Sequence, residues 1–446
     1  MKAQPKSKDR LFEFLIVGAL ITGAVFAFAP DRAVSTPVTK PIDKPKPIHK
    51  PKPTIEPVLP SYVVPSGKTE TLVTGLRAPW ELLFLPDGQV LVDERDSGTI
   101  LQIRKDYSTH EVAFTSTTPP CVKFCEGGTL GMTYAADRPD GKLSLFVFLT
   151  TLEDNRILKY DLDSTDGVWS LSNKRVFFSG IDRSGLSTTH NGGRLAVGPD
   201  GKLWVSLGDA GMRGSTSQNW DRLAGSILRF NLDGTIPADN PHAGSPVWAK
   251  GLRDTQGMAW DNFGNMWTTE FGQDTWDELN LMQKGKNYGW PIAEGKYKFA
   301  ETPLPQGNPG SNGQGTVESP APTPEIPTMP SDKELFNDSR YTNPYFTWHP
   351  IDAACSGISF VRGSLISACL RGGKLWVMPV LGDKQLGEPQ AFFTGTFGRI
   401  RKATLAPDGS LWIITSNKDG RGGWSKGGEN PKDDRIIRVE LKTVYY

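Results

Sequence analysis

PDGKLWVS, residues 199–206, couples a turn to a strand. Proline presets its own φ, aspartate accepts from the backbone two residues on, and glycine takes the left-handed position that closes a tight turn. The apolar run behind it is rich in residues that fit a pleated surface. The unit recurs as PDGQVLV at 86–92, PDGKLSLFV at 139–147, NFGNMWTT at 262–269, RGGKLWVM at 371–378 and PDGSLWII at 407–414. Hairpins in a sandwich would explain the turns but not the regular spacing. A unit repeated around an axis explains both, because radial repetition leaves few open sheet edges. The expected fold is therefore all-β, a six-bladed β-propeller occupying residues 67–446. The long interval after the fourth copy predicts a loop insertion at about 300–340, rich in Pro, Gly, Ser and Thr.

Outward from the repeats, the N-terminus is of another kind. Residues 1–10 carry Lys2, Lys6, Lys8 and Arg10. Residues 11–29 are apolar apart from Glu13, and at about 1.5 Å per residue they reach roughly 28 Å, enough to cross a bilayer. A transmembrane anchor and a cleaved signal peptide both fit this pattern. Pro30, directly after the Ala27-Phe28-Ala29 site, disfavours cleavage, so the anchor is the expectation. Positive residues ahead of the segment place the remainder outside the cytoplasm. Residues 30–66, with Lys-Pro pairs from Lys40 to Pro53, read as an extended linker that buries no core. Cys121 with Cys125, and Cys355 with Cys369, are the expected disulfides of an exported domain. The 50 basic and 49 acidic side chains leave no electrostatic footprint for nucleic acid.

Propeller sites form where loops from several blades converge. RSGLSTTHNGG sets His190 before one strand of a hairpin, and Asp209 follows the next strand, so the two can meet as a base and its orienting carboxylate. Glu126 stands in CEGGTLGM, and GLRDTQG brings Arg253, Asp254 and Gln256. Arg399 and Arg401 share one face of a strand by period-2 alternation and suit a ligand bearing carboxylates. Glu270, Asp274, Asp277 and Glu278, in a Gly-containing loop, suit a hard cation such as Ca²⁺.

Taken in order, LRAPWELLFLPDGQVLVDERDSGTI, EGGTLG, HNGGRLAVGPDGKLWVSLGDAG, GLRDTQGMAWD, DELNLMQKGKNYGWP and GRIRKATLAPDGSLWIIT resemble the glucose/sorbosone (aldose sugar) dehydrogenases from about Leu72 to Val439. That resemblance implies a six-bladed propeller using pyrroloquinoline quinone (PQQ) and Ca²⁺ to oxidise the C1 hydroxyl of an aldose to the lactone. It implies His190 as general base, Asp209 as its orienter and Arg253 beside the quinone oxygens. Arg253, Asp254, Gln256, Arg399 and Arg401 line up with cofactor-contacting positions, and Glu126 with a substrate contact. Carbonyls of Gly272 and Gln273 would hold the Ca²⁺ that polarises PQQ. Glu278 and the Tyr288 carbonyl would hold a second, structural one. With no haem-attachment motif, electrons pass to a separate acceptor.

The chain departs from that pattern twice. Asp254 and Thr255 follow the arginine where the family usually has asparagine and proline, and the strand KLWVMPV continues with Leu381, Gly382 and Asp383 where a lysine is usual. These departures leave a second function open, a propeller without cofactor that binds carbohydrate or a protein partner. A third, a Ca²⁺-dependent lactonase of the kind other six-bladed propellers support, needs carboxylates from several blades, and the clustering of acidic residues in one loop argues against it.

Overall fold

The computed structural model describes residues 60–115, 126–185, 189–212, 214–273, 275–298, 337–421 and 434–446. The chain divides into two units, Met1–Pro57 and Val58–Tyr446, and the first lies outside the described residues. So do the expected anchor at 11–29, most of the linker, the Cys121–Cys125 pair and the expected insertion up to residue 336. Among the described residues no helix is long and apolar enough to cross a membrane.

Among the described residues the second unit holds six antiparallel sheets of four or five strands, whose first strands ring a common axis, and one two-stranded sheet, Ala293–Glu294 with Tyr297–Lys298. Those first strands are Pro79–Phe84, Thr129–Ala136, Gly192–Val197, Thr255–Trp260, Cys355–Val361 and Ile400–Leu405, for blades 1 to 6. Blade 6 is completed by Ser61–Leu76 pairing with the C-terminal strand Asp434–Tyr445. That pairing begins inside the stretch read as linker; residues 61–66 belong to a strand.

In blades 1, 2, 3, 4 and 6 the first two strands are joined by the turns expected from the sequence. In blade 1 the Gly88 N–H donates to the Leu85 carbonyl at 2.9 Å and Leu85 N–H to Gln89 at 2.8 Å, and Gly88 has φ +82°. The left-handed Gly88 closes a three-residue hairpin loop. Blade 6 repeats it at Ala406–Ser410. The fifth repeat was read one strand late. RGGKLWVM spans the second turn and third strand of blade 5, and the turn in phase with the others is Arg362-Gly363.

Apolar side chains of neighbouring blades interlock along the seams. Trp80 of blade 1, Phe146 and Phe148 of blade 2, and Val205 and Phe230 of blade 3 form one such cluster. Val73, Leu82, Val92 and Ile414 join blade 6 to blade 1. On the axis itself the packing is ionic. Glu81 of blade 1, buried, pairs with the buried Arg194 of blade 3 and the half-buried Lys402 of blade 6. Arg194 also donates to the carbonyls of Gln256 (blade 4) and Ser356 (blade 5), both at 2.9 Å, and lies 3.9 Å over the Trp80 ring. One guanidinium thus ties four of the six blades together, and Glu81 adds blade 6 through Lys402.

Candidate active site

Two loops of every blade reach the same end of the ring: the one before its first strand and the one after its second. His190 stands in the first kind of loop in blade 3, at φ +51°, and Asp209 in the second kind. A left-handed non-glycine residue is uncommon and marks a constrained site. The loops touch at Gly208, where a Cβ would lie 2.0 Å from the His190 carbonyl oxygen. Glycine at 208 therefore permits the close approach that brings His190 Nδ1 to 2.7 Å from Asp209 Oδ1. Asp209 is fully buried, and its oxygens also accept the Gly211 N–H at 2.7 Å and the Trp290 indole N–H at 2.8 Å.

Burial raises the Asp209 carboxyl, but His190, Arg253 and the indole outweigh it and hold the group below its ordinary value. It is therefore ionised and accepts from Nδ1–H, which puts the lone pair of the neutral imidazole at Nε2. Burial and the Arg253 charge lower the imidazole, while Asp209 and Asp254 more than offset them, so His190 titrates above its ordinary value. Arg253 covers the working nitrogen: its guanidinium lies 3.1 Å from Nε2 and also donates to Gln273 Oε1 and the Phe271 carbonyl.

Beside this pair opens a pocket lined by Trp80, Arg95, Glu126, Gln256, Arg399 and Arg401, with Leu370, Asp419 and Arg421 closing it. Glu126 joins the two parts, accepting the His190 N–H at 2.7 Å and pairing with Arg421 at 2.6 Å. Arg399 pairs with Asp419 at 2.8 Å. Burial, with Arg95, Arg399 and Arg194 close by, pushes Arg401 down to about 9 despite Asp419. Its Nε is buried without a hydrogen-bond partner among the described residues, although Nη1 reaches Gln256 at 3.2 Å. A crowd of buried guanidiniums, one of them incompletely satisfied, is the chemistry of a site for a planar polyanion.

The expected residues thus divide. His190, Asp209, Arg253, Glu126, Gln256, Arg399 and Arg401 come together. Asp254 lies behind the wall: its carboxylate accepts the Gly192 N–H at 3.1 Å and the Gln256 amide at 3.2 Å. Burial and the charge of Glu126 raise it to about 6. Leu381 and Gly382 lie away from the site, because a third strand runs from the site end to the turn end of its blade. The segment of blade 5 that does reach the site is the turn at Leu370, followed by Arg371, whose Nε is buried without a partner among the described residues. The missing lysine near Gly382 is therefore no loss to the pocket.

The calcium candidates lie farther out in blade 4. Gly272 and Gln273 follow its second strand, and the Gln273 side chain is held by Arg253. Glu278 is buried, accepting from the Gly295 N–H at 2.7 Å and Asn280 at 3.0 Å. The Tyr288 hydroxyl donates to the Leu281 carbonyl at 2.8 Å. Burial, with the Glu278 charge, raises Glu270 well above its ordinary value, and burial, with the Glu294 charge, raises Glu278 and Asp277 to about 7. Buried carboxylates at this density fit a hard cation, although among the described residues no three His, Cys, Asp or Glu side chains converge as a ligand set.

Sequence reading missed Arg95, Asp419, Arg421 and Trp290. The first three follow second strands of their blades, as Asp209 does; that position was the available signal.

The glucose/sorbosone dehydrogenase family profile matches residues 76–423. The chain belongs to that family. By membership it is a sugar dehydrogenase, an oxidoreductase. It is 29% identical over 371 residues to aldose sugar dehydrogenase YliI of Escherichia coli, covering 79% of this chain and 90% of that one. The PQQ-bound aldose sugar dehydrogenase of Streptomyces coelicolor superposes with a TM-score of 0.68 at 34% identity, over 87% of this chain and 100% of that one. The apo aldose sugar dehydrogenase of Escherichia coli gives 0.63 at 26% identity, over 85% and 99%.

Proposed function

We propose that this family member is a PQQ- and Ca²⁺-dependent enzyme that oxidises the C1 hydroxyl of an aldose to the lactone and passes electrons to a separate acceptor. The observation that carries the reading is the His190–Asp209 pair, 2.7 Å apart, at the edge of an arginine-lined pocket. PQQ, when bound, supplies a two-electron acceptor for the hydride leaving C1. Arg399, Arg401 and Gln256 would hold it, the arginines as cations for its carboxylates, and Arg253 would stabilise the negative charge of its reduction. Arg253 must give up His190 Nε2 before that nitrogen can take the C1 hydroxyl proton. Asp209 keeps the imidazole in the tautomer whose lone pair is at Nε2 and stabilises the imidazolium formed. Glu126 and Arg421 offer an acceptor and a donor to the sugar hydroxyls. Ca²⁺ is assigned to the Gly272 and Gln273 carbonyls, and a structural Ca²⁺ to Glu278 and the Tyr288 carbonyl. Residues 11–29 anchor the enzyme, with the propeller on the extracytoplasmic side.

Reconstitution tests this. The full chain is loaded with PQQ and Ca²⁺, and reduction of an artificial acceptor is followed with a panel of aldoses. PQQ-dependent turnover that is lost in His190→Ala is expected. Turnover unchanged in that variant would remove His190 from the mechanism. Saturable carbohydrate binding with no PQQ binding would favour the cofactor-free reading instead.

A further inference from the structure

Trp290 belongs to neither the pocket lining nor the expected site residues, yet it touches both halves of the proton-transfer apparatus. It is 3% exposed, and its indole Nε1–H donates to Asp209 Oδ2 at 2.8 Å. The Arg253 guanidinium lies 5.5 Å from its ring centroid, within the range of a cation–π contact. Its backbone is pinned at both sides: the N–H donates to the Gly251 carbonyl at 3.0 Å, and its carbonyl accepts from Gln218 at 2.6 Å. These contacts fix the backbone from which the indole reaches the carboxylate.

We propose that Trp290 is a positioning residue for the dehydrogenase reaction, acting through Asp209 and Arg253 at once. Its N–H holds the carboxylate plane so that Oδ1 faces His190 Nδ1. Its ring face keeps the Arg253 guanidinium over Nε2 in the free protein and within reach of bound cofactor. The proposal rests on His190 being the base.

The groups facing His190 are Asp209, Arg253, Glu126 and Asp254. Those facing Asp209 are His190, Arg253 and the indole. Removing the indole donor leaves Asp209 more basic, and its remaining bond to His190 then favours the imidazolium more strongly. In Trp290→Phe, which keeps an aromatic face for Arg253, the His190 titration should move up by about half to one pH unit. The acid limb of kcat/KM should move up with it. kcat should fall about tenfold with KM nearly constant, since the contact acts on the proton-transfer step.

The test is histidine-labelled NMR on the full-length protein without cofactor, for wild type and Trp290→Phe, followed by pH profiles of the loaded enzyme. A second readout needs no variant: in the wild type, the Trp290 indole N–H resonance should titrate with the same midpoint as His190. An indole resonance indifferent to that titration would overturn the proposal. So would a Trp290→Phe protein with lowered Tm but unchanged His190 midpoint and pH profile. Because the NMR readouts do not depend on turnover, they stand or fall separately from the His190→Ala test.

Discussion

Replacing Asp209 by asparagine changes one atom in a place where every neighbour is a donor. His190 Nδ1–H, Gly211 N–H and Trp290 Nε1–H point at its two oxygens from 2.7, 2.7 and 2.8 Å. A carboxylate accepts all three; an amide has one acceptor oxygen and must aim its NH2 at a donor. If the oxygen stays toward His190, the NH2 abuts the indole N–H. If the NH2 faces His190, the imidazole must accept at Nδ1, and Nε2 then carries the proton it is meant to receive. Loss of the charge-assisted bond alone amounts to about 1.5–3 kcal/mol. The inverted tautomer extends the effect toward about 10⁴-fold in rate. Asp209→Asn should therefore lower kcat/KM by about 10²–10⁴-fold. Losing the carboxylate charge should shift the acid limb of the profile down by about one to two pH units, since that charge holds His190 above its ordinary value. Dye-linked kinetics from pH 5 to 9, with circular dichroism to confirm the fold, measure both. A kcat/KM within about threefold of wild type and an unmoved acid limb would refute the base–orienter assignment.

Other sites give independent expectations. Arg401→Met should make the cofactor-free protein about 1–3 kcal/mol more stable, because a buried and incompletely paired cation is removed. It should also weaken PQQ binding about 10–100-fold; calorimetry showing unchanged affinity would take Arg401 out of the cofactor site. Asp254 titrates at about 6 in the folded protein, above its ordinary value, so its ionised form opposes folding fully above that pH and not at all below about 4. Asp254→Asn should therefore be about 1–3 kcal/mol more stable than wild type at pH 7.5, with the gap closing toward pH 4; urea melts giving a pH-independent gap would show that ionisation is not the cause. Glu81→Gln should cost about 3–5 kcal/mol, since Arg194 and Lys402 would be left buried around a neutral amide. A loss under about 1 kcal/mol by chemical denaturation would mean the axial network adds little to closure.

The turn-and-strand repeat was legible because its glycines must take positive φ and its strands must pack on two faces; both are written locally. The His190–Asp209 pair was legible for the same reason, since one hairpin brings its own ends together. Arg95, Asp419 and Arg421 were not, because each is placed by a contact with another blade. Asp419, for example, is fixed by Arg399 from the neighbouring strand and by Arg95, 324 residues away, through its carbonyl. The phase of blade 5 was lost where Arg362-Gly363 lacks the Pro-Asp signature. One strand of error then reversed which end of Lys374–Gly382 faces the site. Asp254 looked like a charge against the cofactor, and only the positions of Gly192 and Gln256 show that it is turned into the wall.

Blade 6 is assembled from Ser61–Leu76 and from strands that end at Tyr445. Its outer strand is made before any other in the propeller and its neighbour after all the rest, so the ring stays open until Asp434–Tyr445 has been made. Arg399, Arg401 and Asp419 belong to that late blade, and the anion pocket is therefore one of the last features to form. A chain stalled or clipped a dozen residues early loses the partner of its first strand, opens a seam between blades 6 and 1, and uncovers Val73, Leu82 and Ile414 together. For a ring closed in this way, the interval between first and last strand is the period in which chaperones and proteases meet an unclosed propeller.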